Sequence, residues 1–180
     1  VSWAPIMGIN HQNQVTQWSK GDYRGAQNKQ DDIGILVGAL GLRRDDHDDS
    51  RFDSGTPLVI DSDGRISAIH PGIDPNHHKA ENKGLIEDQD DIDVFVFNAG
   101  KGMVDITVTP AWQAHQQDPH RGANLDVHIA LFNASGKKIA ESDPSDETSS
   151  RLKKKVAPGR YKLEIKGVGN TASAYPGYGS

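Results

Sequence analysis

Residues 94–97 read Val-Phe-Val-Phe, with an apolar side chain at every position. Such a strand is buried on both faces, because successive side chains point to opposite sides of a sheet. Residues 104–108 (VDITV) and 125–131 (LDVHIAL) instead alternate apolar with polar side chains, which indicates half-buried strands. A short turn such as residues 133–136 (NASG) favours antiparallel pairing. Further short strands are predicted at residues 57–60, 66–69, 137–140, 151–156 and 161–165. The pattern predicts a mainly β chain, an antiparallel β-sandwich from residue 56 onward.

The N-terminal part follows a different pattern. Residues 1–30 are rich in Gln, Asn and Gly and have no regular period, so we expect irregular structure there. One α-helix is predicted next, with Asn28 as its N-terminal cap and Gly41 as its end. Its apolar stripe consists of Ile33, Leu36, Val37 and Leu40. The stripe predicts a partner surface for this helix.

A run of charged residues separates the two patterns. We expect an N-terminal unit at residues 1–44, an acidic linker at residues 45–55 and a β domain at residues 56–180. The chain has 180 residues, which suits one domain with an appendage.

Composition excludes several classes of protein. Cysteine is absent, which removes disulfides, thiol catalysis and Cys-ligated zinc. A net charge of -5 argues against a nucleic-acid partner bound through a broad basic face. No apolar run is long enough to span a membrane, and no signal peptide is visible, so we expect no membrane partner.

The sequence offers no catalytic constellation. It contains neither the Gly-x-Ser-x-Gly elbow of a serine hydrolase nor the His-Glu-x-x-His motif of a zinc protease. The histidine pairs His77–His78 and His115–His120 lie in polar loops, where ordinary surface histidines are the commoner interpretation. We therefore predict no catalytic residue; zinc binding by those histidines is the alternative.

Two acidic clusters are candidates for cation binding. Four carboxylates in six residues precede the buried strand, and four more lie in the linker. They are Asp88, Asp90, Asp91 and Asp93, followed by Asp45, Asp46, Asp48 and Asp49. Clustered carboxylates repel one another unless a cation neutralises them, and Ca²⁺ accepts 6–8 oxygen ligands in irregular loops. If the linker folds back onto the strand, the two clusters could close one site; two solvated acidic turns are the alternative.

The N-terminal unit carries a resemblance to a known family. Residues 3–8 (WAPIMG), 15–23 (VTQWSKGDY) and 28–32 (NKQDD) resemble the end of the catalytic domain of bacterial secreted zinc metalloproteases of the metzincin type. The resemblance implies that Met7 is the Met-turn methionine beneath the zinc-binding histidines. It also implies that residues 1–44 are a remnant of that domain, ending in its last helix. Zinc is then expected only in a catalytic domain outside this chain.

The β domain resembles a second family. Residues 91–97 (DIDVFVF), 124–127 (NLDV), 131–136 (LFNASG) and 157–161 (APGRY) are similar to the bacterial pre-peptidase C-terminal (PPC) domain, and to the collagen-binding modules of clostridial collagenases. The resemblance implies a sandwich of jelly-roll type, here without its final strand. In the collagenase modules, acidic residues of the linker and of the turn before this strand hold calcium. The matching residues here are Asp48, Asp49, Asp90 and Asp93, the last two more closely.

The two resemblances together imply a function. We expect a non-catalytic C-terminal accessory domain of a secreted bacterial zinc metalloprotease, which stabilises the enzyme, assists secretion or holds a protein substrate. The parent catalytic domain is then its expected partner. The alternative is a module that binds polysaccharide or collagen through exposed aromatic residues. The candidates are Phe132, Trp112, Tyr175 and Tyr178.

Overall fold

The computed structural model describes residues 2–8, 13–21, 23, 25–47, 52–66, 82–110 and 123–169. Across these residues the protein is mainly β, with nine strands in three sheets and a single helix. The elements are β1 (Trp3–Pro5), β2 (Val15–Gln17), α1 (Asp32–Leu40), β3 (Thr56–Pro57), β4 (Asp93–Ala99), β5 (Gly102–Val108), β6 (Val127–Asn133), β7 (Lys138–Ser142), β8 (Ser150–Val156) and β9 (Gly159–Gly167).

The largest sheet has five strands in the order β3-β4-β9-β6-β7. Strand β4 is buried on both faces over its first five residues, as its continuous apolar run predicted. Its antiparallel partner β9 places Leu163 opposite Phe95 and Tyr161 opposite Phe97. Strand β6 pairs with the other edge of β9 and continues through a turn with Gly136 at φ 76° into β7.

Strands β5 and β8 form a separate antiparallel pair, which shares one hydrophobic core with the five-stranded sheet. The buried residues of that core are Phe95, Phe97, Ile106, Val127, Ile129, Leu131, Leu152, Val156, Tyr161 and Leu163. Val127, Ile129 and Leu131 are fully buried, so the alternating pattern identified the inward face of β6 correctly.

One prediction for the β domain differs from the structure, and a second falls mostly outside the described residues. The strand predicted at residues 57–60 is only two residues long, and it pairs parallel to β4, not antiparallel. Ile66, at the start of the strand predicted for residues 66–69, lies outside any strand, and residues 67–69 lie outside the described part. Both segments are too short for the periodicity of their side chains to determine their pairing.

The N-terminal segment is more regular than its composition predicted. Strands β1 and β2 pair in parallel, with Trp3 opposite Val15. The backbone of this segment also joins the β domain: the amide of Thr16 donates to the Ala123 carbonyl at 2.7 Å, and the amide of Ala123 donates to the Gln14 carbonyl at 2.9 Å. These bonds connect positions more than 100 residues apart, which local sequence patterns do not reveal.

Helix α1 begins later than the sequence predicted. Asp31, not Asn28, is the N-cap, and its side chain accepts a hydrogen bond from the Gly34 amide at 2.7 Å. Gly41 ends the helix with φ 81°, as expected for a C-terminal glycine. None of its residues is buried, and a bilayer-crossing helix is not found among the described residues.

One glycine tests how the linker packs on the large sheet. A Cβ on Gly55 would lie 2.8 Å from methyl groups of Val94 and Val96. These two residues lie on the face of β4 opposite Phe95 and Phe97. We therefore expect Gly55→Ala to destabilise the fold by about 1–3 kcal/mol, because it overpacks this contact. Urea unfolding followed by circular dichroism measures the change.

Gly100→Ala is the matched control, because nothing lies within 4 Å of a Cβ at that position. It should leave stability unchanged or raise it by about 0.4–1 kcal/mol, because alanine reduces the conformational entropy of the unfolded chain. Equal stability of the two variants would show that residue 55 does not pack on β4.

Candidate metal centre

His47 fixes the acidic linker against the β domain. Its side chain is 5% exposed, and its ring lies 4.5 Å from the Phe95 ring between centroids. The Nε2 atom lies 2.6 Å from the Lys83 carbonyl oxygen, and Nδ1 lies 2.8 Å from the Thr56 hydroxyl. A carbonyl oxygen only accepts, so Nε2 carries the proton and Nδ1 accepts from Thr56 in the neutral ring. The linker is thereby held beside the start of β4.

Glycine is required where the chain passes over this contact. A Cβ on Gly84 would overlap the Asp93 carboxylate and the His47 ring. The backbone therefore approaches these two side chains as closely as it can. The Leu85 amide also donates to Asp46 Oδ1 at 3.3 Å, which joins the same segment to the linker.

The fold-back of the linker brings six side chains into two adjoining groups. Asp45, Glu87 and Asp91 form one group, and Asp46, His47 and Asp93 form the other. Within each group the potential ligand atoms lie within 4.8 Å of one another. Each group combines residues from the linker with residues from the turn before β4 or from the first position of β4.

Several carboxylate oxygens in these groups are buried without a hydrogen-bond donor. Both oxygens of Glu87 and Oδ1 of Asp93 are in this state. Asp93 is 3% exposed, and the Glu87 side chain is 6% exposed. Arg43 Nε lies 3.7 Å from Glu87 Oε1, but the Arg43 side chain is 63% exposed to water. Buried carboxylates without donors are costly, so their ionised form needs a further partner.

The pKa values of two carboxyl groups in the cluster are raised, as expected for buried carboxylates that lack hydrogen-bond donors. Burial raises the pKa of Asp93 from its ordinary 3.8 to about 8, and the charges of Asp46, Asp91 and Glu87 add to the effect. Burial likewise raises the pKa of Glu87 to about 7, with Asp91 and Asp46 contributing. Both carboxyl groups therefore hold protons near neutral pH unless a cation replaces them.

The donor set suits a hard cation. Five carboxylates offer oxygen ligands, which Ca²⁺ prefers, and they come from irregular segments that can adjust to its coordination. Both His47 ring nitrogens already have hydrogen-bond partners, so this residue positions the linker and is not a ligand in this arrangement. The group of Asp45, Glu87 and Asp91 contains carboxylates alone, which makes it the better candidate.

The sequence predicted part of this cluster. The acidic linker does fold back onto the start of β4, and Asp93 lies in the cluster. Asp90 is exposed, and its amide donates to Asp88 Oδ1 at 2.8 Å, outside both groups. Asp48 and Asp49 lie outside the described residues.

Sequence reasoning missed Glu87 and His47. Glu87 follows the apolar pair Leu85–Ile86, and this pairing of a carboxylate with apolar neighbours was the available signal for its burial. His47 stands alone among acidic residues, and nothing local indicated that its ring would be buried. Asp45, Asp46 and Asp91 belonged to the predicted acidic clusters but were not chosen as ligands.

Two of the remaining candidates, Met7 and Phe132, lie among the described residues, and neither belongs to this cluster. Met7 lies in a turn after β1 and is 81% exposed, so its proposed place beneath a zinc site stays a prediction. Phe132 is half-buried, and the Lys162 ammonium lies 4.7 Å from the centre of its ring. The other aromatic candidates, Trp112, Tyr175 and Tyr178, and the four loop histidines, His77, His78, His115 and His120, lie outside the described residues.

Comparisons with known proteins supply no family assignment. A scan against protein-family models finds no match, and a search of curated proteins finds no similar sequence. The resemblances therefore rest on the short motifs that carry them. What the structure itself establishes is a mainly β fold with an acidic cluster at the start of strand β4.

Proposed function

We propose that this protein is a calcium-stabilised, non-catalytic accessory domain, built as a β-sandwich of jelly-roll type, from a secreted zinc metalloprotease. The observation that carries the calcium part is the burial of donor-free carboxylate oxygens on Glu87 and Asp93 within a cluster of linker acids. The accessory role is supported by the motif resemblances and by the lack of a His-Glu-x-x-His or Gly-x-Ser-x-Gly motif in the chain.

Calcium would act by joining two parts of the chain. Asp45 belongs to the linker, whereas Glu87 and Asp91 precede β4, so one ion bound by all three crosslinks them. An ion that binds only the folded state stabilises it by about 2.7 kcal/mol at 100 times the dissociation constant. The linker and the N-terminal unit are thereby fixed to the β domain, which is the property an accessory domain needs to hold its parent enzyme.

Titration calorimetry on protein freed of metal by a chelator tests the calcium site. We expect Ca²⁺ to bind and to raise the melting temperature. Glu87→Gln and Asp91→Asn should each weaken binding by at least about tenfold, because each removes a charged ligand. In the chelator alone and at a pH above the raised pKa of Glu87, Glu87→Gln should raise the melting temperature, because it removes a buried charge whose oxygens have no hydrogen-bond donor.

Asp90→Asn is the matched control, since it makes the same change of charge three residues from Glu87 at an exposed position. It should bind Ca²⁺ as the unmodified protein does. The calcium proposal fails if Ca²⁺ produces neither binding heat nor a thermal shift. If Asp90→Asn weakens calcium binding as much as Glu87→Gln does, the ion binds at the exposed turn instead.

The raised pKa values predict how stability depends on pH. Folding raises the pKa of Asp93 from 3.8 to about 8 and that of Glu87 from 4.5 to about 7. Between the ordinary and the raised pKa of each group, the folded protein binds more protons than the unfolded chain. Stability in a chelator should therefore fall as the pH rises through this window. Melting temperatures measured from pH 5 to about 8 check the slope.

Calcium should oppose that loss, because it competes with protons for the same carboxylates. The thermal shift produced by Ca²⁺ should then grow as the pH rises. A calcium effect that stays constant across the window would show that Glu87 takes no part in binding.

The accessory role makes a separate prediction about activity. The purified chain should not cleave casein, with or without added zinc, because the residues of a metalloprotease centre are absent from its sequence. Proteolysis that is abolished by a chelator and restored by zinc would contradict this role and leave the calcium site unaffected.

A further inference from the structure

The outward face of the β5–β8 pair carries an unusual concentration of positive charge. The register places Lys153 opposite Asp105 and Lys155 opposite Met103. Arg151 precedes them on the same side of β8, since alternate residues of a strand share a face. Lys101 is exposed just before β5. We call these four cations, Lys101, Arg151, Lys153 and Lys155, the basic face.

The basic face is positively charged, whereas the whole chain is negatively charged. The basic face has four cations and one carboxylate, that of Asp105, so its charge is 4 − 1 = +3, whereas the complete chain carries -5. Asp105 accepts two hydrogen bonds from the Arg151 guanidinium, at 2.8 and 2.7 Å, and lies 3.1 Å from Lys153 Nζ. The Arg151 guanidinium holds the pKa of Asp105 well below its usual range. This carboxylate thus orients two of the cations without neutralising the face.

The other two cations, Lys101 and Lys155, have no carboxylate beside them in the described part of the chain. Among the described residues, neither Lys101 nor Lys155 has an ion-pair partner, and both are exposed. Like charges on neighbouring positions of one face repel each other unless an anion lies between them. The face therefore favours a negatively charged partner.

The arrangement of the cations favours a linear partner. Alternate residues of a strand are about 6.6–6.8 Å apart, so Arg151, Lys153 and Lys155 form a row about 13 Å long. A single phosphate would engage only one or two of them. A chain of regularly spaced anionic groups lying along β8 would engage all three.

We propose that the basic face binds an acidic polysaccharide along β8. The exposed residues of β5 opposite Arg151 and Lys155, which are Thr107 and Met103, offer a hydroxyl and a thioether, and Met103 is 64% exposed. No aromatic side chain of β5 or β8 is available to stack on bases, which single-stranded nucleic-acid sites use. This inference is independent of the calcium site, which uses other residues.

Binding to heparin, as a sulfated polysaccharide, tests the proposal against neutral dextran and a DNA duplex. The double variant Lys101→Gln/Lys155→Gln leaves the ion pairs of Asp105 in place. It should raise the dissociation constant for heparin about tenfold or more and reduce the salt dependence of log K by about 1–2. Adding Lys153→Gln should weaken binding further. Unchanged melting curves show that each variant is folded.

Arg44→Gln/Arg65→Gln is the matched control, because both side chains are exposed, lie outside the basic face and change the net charge equally. It should bind heparin as the unmodified protein does. The proposal is supported if the protein binds heparin but not dextran, and if only the basic-face variants lose this binding. No binding to heparin, an equal loss in the control, or tighter binding to the DNA duplex would each overturn it.

Discussion

The buried carboxylates of Glu87 and Asp93 impose the constraint on which the rest of the structure depends. An ionised carboxylate taken out of water without donors is unfavourable, and neighbouring carboxylates make it more so. Here the linker adds acidic side chains to an acidic turn, where solvation alone would favour separation. Apolar packing and the hydrogen bonds of His47 hold the parts together. The calcium ion that we propose would neutralise the repulsion between their carboxylates.

The β fold explains why these groups cannot simply turn toward water. Asp93 is the first residue of β4, which is buried on both faces and pairs with β9 along its whole length. The backbone at Gly84 closes over the Asp93 carboxylate, and the Glu87 amide donates to Asp91 Oδ2 at 2.8 Å. The turn before β4 and the first residue of β4 thus present one half of the cluster, and the linker supplies the other. The basic face lies on a different pair of strands, so the acidic and basic residues occupy separate elements.

Local patterns predicted the strands and missed the contacts between distant segments. The continuous apolar run of β4 and the alternation in β5 and β6 were sufficient, because burial repeats with the period of a strand. The acidic clusters also pointed to the linker and to the turn before β4. Glu87 and Asp91, and not Asp90, meet the linker because of how the two segments pack. That packing includes the hydrogen bond between His47 and the Lys83 carbonyl, 36 residues apart. No periodicity encodes such a pairing, nor the joining of β2 to Ala123.

The most direct test of the account is a crystal structure grown with calcium, with anomalous scattering to identify the ion. The account predicts an ion at about 2.3–2.6 Å from carboxylate oxygens of Asp45, Glu87 and Asp91, the distance that Ca²⁺ takes to oxygen. A cluster that remains ion-free at saturating calcium, with its carboxyl groups paired through shared protons, would contradict it.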